Sequence, residues 1–196
     1  MSFVGSRQEL ALAIKSACIY CSASGDAPET YRKAAHDIGA ALARRKIRVV
    51  FGGGRMGLMG VVADAALAEG GEVTGIIPSA LREREIQHDG VTELIVVPDM
   101  HARKHMMIGL SDVFVVLPGG LGTLDEALEA LTWKRLRLHQ KPILIFNQDG
   151  FWDPLLALFR HLHDRGLAHP GDLELYIVVN TVDELMQAID RLKVLS

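Results

Sequence analysis

The chain has 196 residues, of which 49% are hydrophobic and 23% are charged, and its formal net charge at pH 7 is −3. This composition is typical of a globular protein with one buried core, and the slight negative charge argues against nucleic acid as a partner. No segment is long and apolar enough for a signal peptide or a membrane span, so we expect no membrane partner.

Strand-like apolar runs alternate with helical periods along the whole chain. The predicted strands cover residues 17–21, 47–51, 72–77, 93–97, 113–117, 142–146 and 175–179. The predicted helices cover residues 1–15, 31–45, 58–69, 99–111, 123–138, 152–165 and 182–194. Regular alternation without a repeat or a linker predicts one domain over residues 1–196, an α/β fold with a Rossmann-like doubly wound sheet. We expect about seven mostly parallel strands, with helices on both faces.

Two cysteines, Cys18 and Cys21, lie in the first predicted strand. A redox pair needs a thiolate, which a helix start stabilises and a strand does not. We therefore interpret both as buried, reduced and structural residues, which predicts a cytoplasmic location.

A glycine-rich turn follows the second strand. Gly52, Gly54 and Gly57 match the dinucleotide-binding pattern G-x-G-x-x-G, and Gly53 lies between them. That pattern expects an acidic residue at the end of the next strand, whereas Glu72 lies at its start. We therefore interpret the turn as a phosphate loop or a place of close backbone approach, with an NAD site as the minor alternative.

A second glycine-rich turn follows the apolar run over residues 113–117. Pro118 ends the hydrogen-bond ladder of that strand, because proline has no N–H to donate. Three glycines, at positions 119, 120 and 122, are expected to take positive φ angles and to let the backbone approach a ligand. Thr123 is expected to begin a helix whose free N–H groups favour an anion such as phosphate. The ends of parallel strands share one sheet edge, so we expect both turns to face one crevice.

Two interpretations of Thr123 and Glu126 remain open. Thr-x-x-Glu is a capping box, in which the two side chains satisfy backbone donors at the helix start. Beside a phosphate site, however, a carboxylate weakens anion affinity, which indicates a chemical role for Glu126.

Arg103 and Lys104 belong to the helix that precedes the central strand. They are either solvated charges or cations that clamp a phosphate or offset the charge of a leaving group. His101 and His105 have a spacing that suits a metal, but no third ligand is evident, so no metal is expected. The polar stretch over residues 79–91 is long for a connection and is a candidate functional loop.

Three segments together resemble the Lonely Guy (LOG) family. These are residues 51–60, residues 99–104 and the Pro-Gly-Gly-x-Gly-Thr-x-x-Glu motif over residues 118–126, and the similarity extends from about Ala17 to Ile189. The resemblance implies an N-glycosyl hydrolase, a cytokinin riboside 5′-monophosphate phosphoribohydrolase. Such an enzyme cleaves N6-modified adenosine 5′-monophosphates into free cytokinin base and ribose 5-phosphate.

The same resemblance implies the site residues. The catalytic pair falls on Arg103 and Glu126. Substrate contacts fall on Glu85, Arg103, Lys104, Gly119, Gly120, Leu121, Gly122, Thr123, Leu124, Asp125, Glu126 and Thr132. The resemblance also implies a homodimer, a small-molecule nucleotide substrate and no cofactor.

This chain departs from the family pattern at two places. The first turn, usually Cys-Gly-Ser-Ser, is here Cys-Ser-Ala-Ser over residues 21–24, so no role is assigned to Ser22 or Ala23. Leu121 occupies a position that is often Tyr in plant relatives. Two alternatives therefore stay open, a general AMP or purine nucleoside monophosphate nucleosidase and a nucleotide or cofactor carrier without turnover. A lysine decarboxylase is not supported, since no lysine stands out as a Schiff-base residue.

Overall fold

The computed structural model describes residues 13–82 and 86–192. Within these ranges, seven strands form one parallel sheet. They are β1 (Ser16–Tyr20), β2 (Arg48–Phe51), β3 (Val73–Pro78), β4 (Glu93–Val97), β5 (Val113–Val116), β6 (Ile143–Phe146) and β7 (Ile177–Val179). The predicted fold class is thereby confirmed. The leading helix predicted over residues 1–15 falls mostly outside the described residues, and residues 13–15 are not helical.

The α-helices alternate with the strands as the periodicity predicts. They are α1 (Glu29–Arg44), α2 (Gly57–Ala68), α3 (Met100–Gly109), α4 (Leu121–Arg135), α5 (Asp153–Asp164) and α6 (Val182–Arg191). None of the helices in the described residues is long and apolar enough to cross a membrane. The predicted bounds of β4 agree, and those of the other strands differ by one residue except in β7. That strand begins at Ile177, two residues late, because the chain has only just left a 3-10 helix over Pro170–Glu174.

The strand order is β4-β3-β2-β1-β5-β6-β7. The chain therefore builds one half of the sheet outward from β1 and then returns to begin the other half at β5. Adjacent crossovers that leave in opposite directions open a crevice outside the carboxyl ends of the two central strands. The switch point thus lies between the turns that follow β1 and β5.

Apolar side chains cover both faces of the sheet. On one face, residues such as Ile38 of α1, Val62 of α2 and Leu185 of α6 are buried in one cluster. On the other, Met107 of α3, Ala130 of α4 and Leu156 of α5 are buried in a second cluster. Buried on both sides, the strands are nearly continuous apolar runs, as parallel strands usually are.

Candidate active site

A cavity of about 310 Å³ opens at the switch point, at the carboxyl edge of the sheet. It lies between the turn after β1, the end of β2, the first turn of α3 and the start of α4. The residues that line it are Ile19, Cys21, Ser22, Ala23, Ser24, Gly52, Met59, Met100, Arg103, Gly120, Gly122, Thr123 and Glu126. Both glycine-rich turns therefore contribute to one cavity, as predicted.

A buried cation and a buried anion meet in this cavity. The Nη2 atom of Arg103 lies 3.6 Å from Oε1 of Glu126, and the two side chains are 5% and 9% exposed. Met100 adds its thioether, with Sδ 3.8 Å from Nη1 of Arg103. Opposite charges removed from water interact strongly, so the pair is held together inside the protein while both groups face the cavity.

Gly52 makes room for the Arg103 guanidinium. A Cβ atom built at Gly52 would lie 1.8 Å from Nη2 of Arg103, far inside contact distance. Only glycine fits at this position with Arg103 in place. The end of β2 therefore forms one wall of the guanidinium site.

The other glycines of the first turn contact protein rather than the cavity. Gly57 has a φ of +62°, and a Cβ there would lie 2.6–2.7 Å from backbone atoms of residues 22–24. The amide of Leu58 donates to the carbonyl of Ser22, so the turn after β1 covers the start of α2. Gly53 packs against Ile77. Gly54 pairs with Gln87 in an isolated bridge.

Helix α4 begins two residues before the predicted start, and of the two open interpretations of Thr123 and Glu126 the capping box does not hold. Gly120 is the N-cap, with extended backbone and no side-chain capping bond. Thr123 lies inside the first turn, and its buried side chain packs over Gly119, where a Cβ would lie 2.1 Å from Oγ1. Thr123 is therefore not the N-cap, and Glu126, three residues further along α4, lines the cavity.

The expected positive φ angles in the second turn were also wrong. Among the described residues, the glycines with positive φ are Gly53, Gly57, Gly70, Gly150 and Gly166. A Cβ added at Gly120 or Gly122 would have nothing within 4 Å, so these glycines leave open space beside the helix start. The uncapped first turn of α4 presents N–H groups and the positive end of the helix dipole at the cavity, which favours an anion.

Lys104 lies next to Arg103 but points at α4. Its Nζ atom is 3.1 Å and 3.0 Å from the two carboxylate oxygens of Asp125, and it also pairs with Glu129. Burial lowers the pKa of Lys104, but the hydrogen bonds to Glu129 and Asp125 outweigh this effect, and the pKa is raised overall. Lys104 is therefore a fixed cation between two carboxylates.

Three other predicted contacts lie away from this cavity. Leu121 is 85% exposed. The hydroxyl of Thr132 donates to the carbonyl of Leu128 at 2.7 Å, and Thr132 lines a separate apolar groove with Leu128 and Phe159. Leu124 is partly buried against the α3–α5 face of the core. Glu85 lies outside the described residues.

The structure adds residues that the motifs did not indicate. The turn Ser22–Ala23–Ser24 lines the cavity because it follows β1, one of the two strands at the switch point. That this turn lies at the switch point could be found only from the strand order. Met59 and Met100 also line the cavity, and their flexible apolar side chains form its less polar wall.

A buried histidine ties the predicted functional loop to the first glycine turn. The His88 side chain is 4% exposed, and its Nε2 atom lies 2.9 Å from Oδ1 of Asp64 on α2. The backbone N–H of His88 donates to the carbonyl of Gly53 at 2.9 Å. The far end of the loop is therefore anchored beside the wall that holds Arg103.

Cys18 and Cys21 are free and buried. Burial raises the pKa of both thiols, and the charge of Glu126 adds to the effect. The predicted burial of both residues is confirmed, and a raised pKa disfavours the thiolate that a redox pair needs.

The fold and the cavity together define a Rossmann-like α/β protein with an anion-favouring site at its switch point. A protein-family model described as "Possible lysine decarboxylase" matches residues 59–189. A cytokinin riboside 5′-monophosphate phosphoribohydrolase of Rhodococcoides fascians is 42% identical over 176 residues, 89% of each chain. The corresponding Arabidopsis thaliana enzyme LOG5 is 39% identical over 91% of this chain and 78% of its own. The chain belongs to the Lonely Guy (LOG) family of enzymes.

Solved structures with the same fold are more distant in sequence. The structural genomics target TM1055 aligns with a TM-score of 0.72 at 23% identity, over 91% of this chain and 99% of its own. The molybdenum cofactor carrier protein of Chlamydomonas reinhardtii aligns with a TM-score of 0.68 at 23% identity, over 89% of this chain and 94% of its own. These similarities establish the architecture alone.

Proposed function

We propose that this protein hydrolyses the N-glycosidic bond of N6-modified adenosine 5′-monophosphates and releases a free cytokinin base and ribose 5-phosphate. The observation that carries the proposal is the buried Arg103–Glu126 pair, 3.6 Å apart, beside the uncapped start of α4. The names of the relatives at about 40% identity support the same reaction.

The substrate is held by its phosphate in this proposal. The first turn of α4 offers backbone N–H groups, and Gly120 and Gly122 leave the space that a phosphate needs. Positive charge on the guanidinium of Arg103 adds to the attraction and orients the nucleotide. A nucleoside that lacks the phosphate is therefore a poor substrate.

The carboxylate of Glu126 performs the chemical role. As the bond between ribose C1′ and the base nitrogen breaks, its electron pair leaves with the base and positive charge develops on the ribose. A carboxylate fixed beside the ribose stabilises that charge, and Arg103 stabilises the departing base. Water supplies the hydroxyl that adds to C1′ and the proton that the base gains.

The test is product analysis by chromatography after incubation with N6-isopentenyl-AMP and, separately, with AMP. We expect free base and ribose 5-phosphate from the wild type, and a loss of at least about 10²-fold in kcat for Glu126→Gln. Glu69→Gln, an exposed residue at the end of α2, is the control and should keep full activity.

The outcomes separate the alternatives. Substantial turnover by Glu126→Gln would contradict the role of this carboxylate. Equal rates on the two substrates would favour a general nucleoside monophosphate nucleosidase. Tight nucleotide binding without cleavage would favour a carrier.

We further propose a homodimer in the cytoplasm that does not bind nucleic acid. The exposed side chain of Leu128 on α4, beside an apolar groove lined by Leu131 and Phe159, supports self-association. The free thiols of Cys18 and Cys21 support a reducing compartment, and the net charge of −3 does not favour a polyanion. Light scattering on the purified protein tests the dimer.

A further inference from the structure

We propose that Lys104 is a positioning residue, which holds Glu126 opposite Arg103 through ion pairs with Asp125 and Glu129. The inference rests on the proposed function and deepens it. It assigns Lys104 to the support of the catalytic pair rather than to contact with the substrate.

Two neighbouring ion pairs join the starts of α3 and α4. The consecutive residues Arg103 and Lys104 face the consecutive residues Glu126 and Asp125, with separations of 3.6 Å and 3.0 Å. A single pair would allow one helix to turn or slide against the other. Two adjacent pairs oppose both movements, and Glu129, one turn further along α4, gives Lys104 a second acceptor.

Carboxylates of the same chain already accept from all the N–H donors of the Lys104 ammonium group. An ammonium has three N–H donors, and three carboxylate oxygens accept from this one, two from Asp125 and one from Glu129. The Lys104 side chain is 8% exposed, and Lys104 does not line the cavity. A substrate phosphate would have to displace a carboxylate to reach it.

Position and charge both explain why the support matters. A displacement of about 1 Å can reduce a rate about 10²-fold, so Glu126 must be held firmly to act on the ribose. Without Lys104, the carboxylates of Asp125 and Glu129 would stand uncompensated close to Glu126. Their repulsion would then move Glu126 away from its place opposite Arg103.

The experiment compares kinetic constants of Lys104→Met, Asp125→Asn and the double variant on N6-isopentenyl-AMP. We expect Lys104→Met to lower kcat about tenfold or more, while KM and the inhibition constant of ribose 5-phosphate change less than about twofold. In the Lys104→Met background, Asp125→Asn should cost no further kcat and should recover part of it, because it removes one of the two uncompensated carboxylates. Lys104→Arg should restore part of kcat.

Lys33→Met is the matched control, since Lys33 forms an exposed pair with Asp37 on α1. Circular dichroism spectra of each variant, compared with the wild type, check that the variants fold. If Lys104→Met does not fold, the half-exposed Asp125→Asn gives the same comparison of kcat with KM.

Each other outcome overturns the inference in a distinct way. A rise of tenfold or more in KM and in the ribose 5-phosphate inhibition constant, with kcat unchanged, would make Lys104 a substrate contact. Unchanged constants in Lys104→Met would show that the ion pairs do not position Glu126. Absence of turnover by the wild type would instead overturn the proposed function and this inference with it.

Discussion

The guanidinium of Arg103 occupies the volume that a side chain at position 52 would need. A Cβ at Gly52 would lie 1.8 Å from Nη2 and 2.9 Å from Cζ of Arg103, so the methyl group of alanine and the guanidinium exclude each other. We expect Gly52→Ala to displace Arg103 from Glu126 and to lower kcat/KM about tenfold or more.

Steady-state kinetics on N6-isopentenyl-AMP measure this effect. The control is Gly109→Ala at the end of α3, where nothing lies within 4 Å of the added Cβ. That variant should keep wild-type activity, because alanine favours a helix over glycine and meets no neighbour. Wild-type activity in Gly52→Ala would show that Arg103 does not need its observed place.

The roles of single glycines were the hardest feature to predict from the sequence. A glycine is required wherever a Cβ would clash, and the clashing group can be a ligand, a side chain or the backbone. At Gly52 it is Arg103, and at Gly57 it is the backbone of residues 22–24. The G-x-G-x-x-G pattern is the same in each case, so the sequence could indicate close approach but not the partner.

At the scale of an element, the start of α4 shows why a capping motif alone does not determine where a helix begins. Thr-x-x-Glu is a strong signal for a helix start, but a helix can begin wherever a residue takes extended backbone before the first turn. Gly120 does so, with φ −96° and ψ −153°, and the helix begins at Leu121. Strands and helices in contrast were predicted to within a few residues, because their periodicity extends over many positions.

The contact between α1 and α2 depends on one small residue. A Cβ at Gly39 would lie 2.4 Å from the carbonyl oxygen of Val62, which is backbone and has little room to move. We expect Gly39→Ala to separate the helices and to lower the free energy of unfolding by about 1–3 kcal/mol, despite the better helix propensity of alanine.

Chemical denaturation measures this change through its midpoint. Gly109→Ala is again the matched control and should be neutral or stabilising, since its added methyl group meets nothing. A Gly39→Ala variant as stable as the wild type would mean that α1 and α2 can move apart without cost.

At the scale of the molecule, the sequence predicted the sheet but not its strand order. Alternating strands and helices give a parallel sheet whichever way each crossover turns. The order around β1 and β5 decides which turns meet, and it is why Ser22–Ser24 lines the cavity together with Gly120 and Glu126. The glycine-rich motif over residues 118–126 and the turn after β2 could be recognised in the chain, whereas the part of the cavity wall that residues 22–24 form could not.

The buried thiols of Cys18 in β1 and of Cys21, one residue after its end, make the stability of the fold sensitive to alkaline pH. Burial raises the pKa of Cys18 and Cys21 above the ordinary value of 9.0, so both stay protonated in the folded protein while the unfolded chain ionises. The unfolded state then binds fewer protons, and the free energy of unfolding falls as the pH rises above 9. Well below pH 9 the thiols are protonated in both states and contribute no slope.

We expect each thiol to lower stability by at most about 1.4 kcal/mol per pH unit in this range. Urea denaturation between pH 8 and pH 10 measures the slope in the wild type and in Cys18→Ala/Cys21→Ala. The double variant should lose the part of the slope due to the thiols, although it starts from a lower stability because two buried sulfur atoms are removed. An equal slope in both proteins would mean that these thiols ionise as readily in the folded sheet as in the unfolded chain.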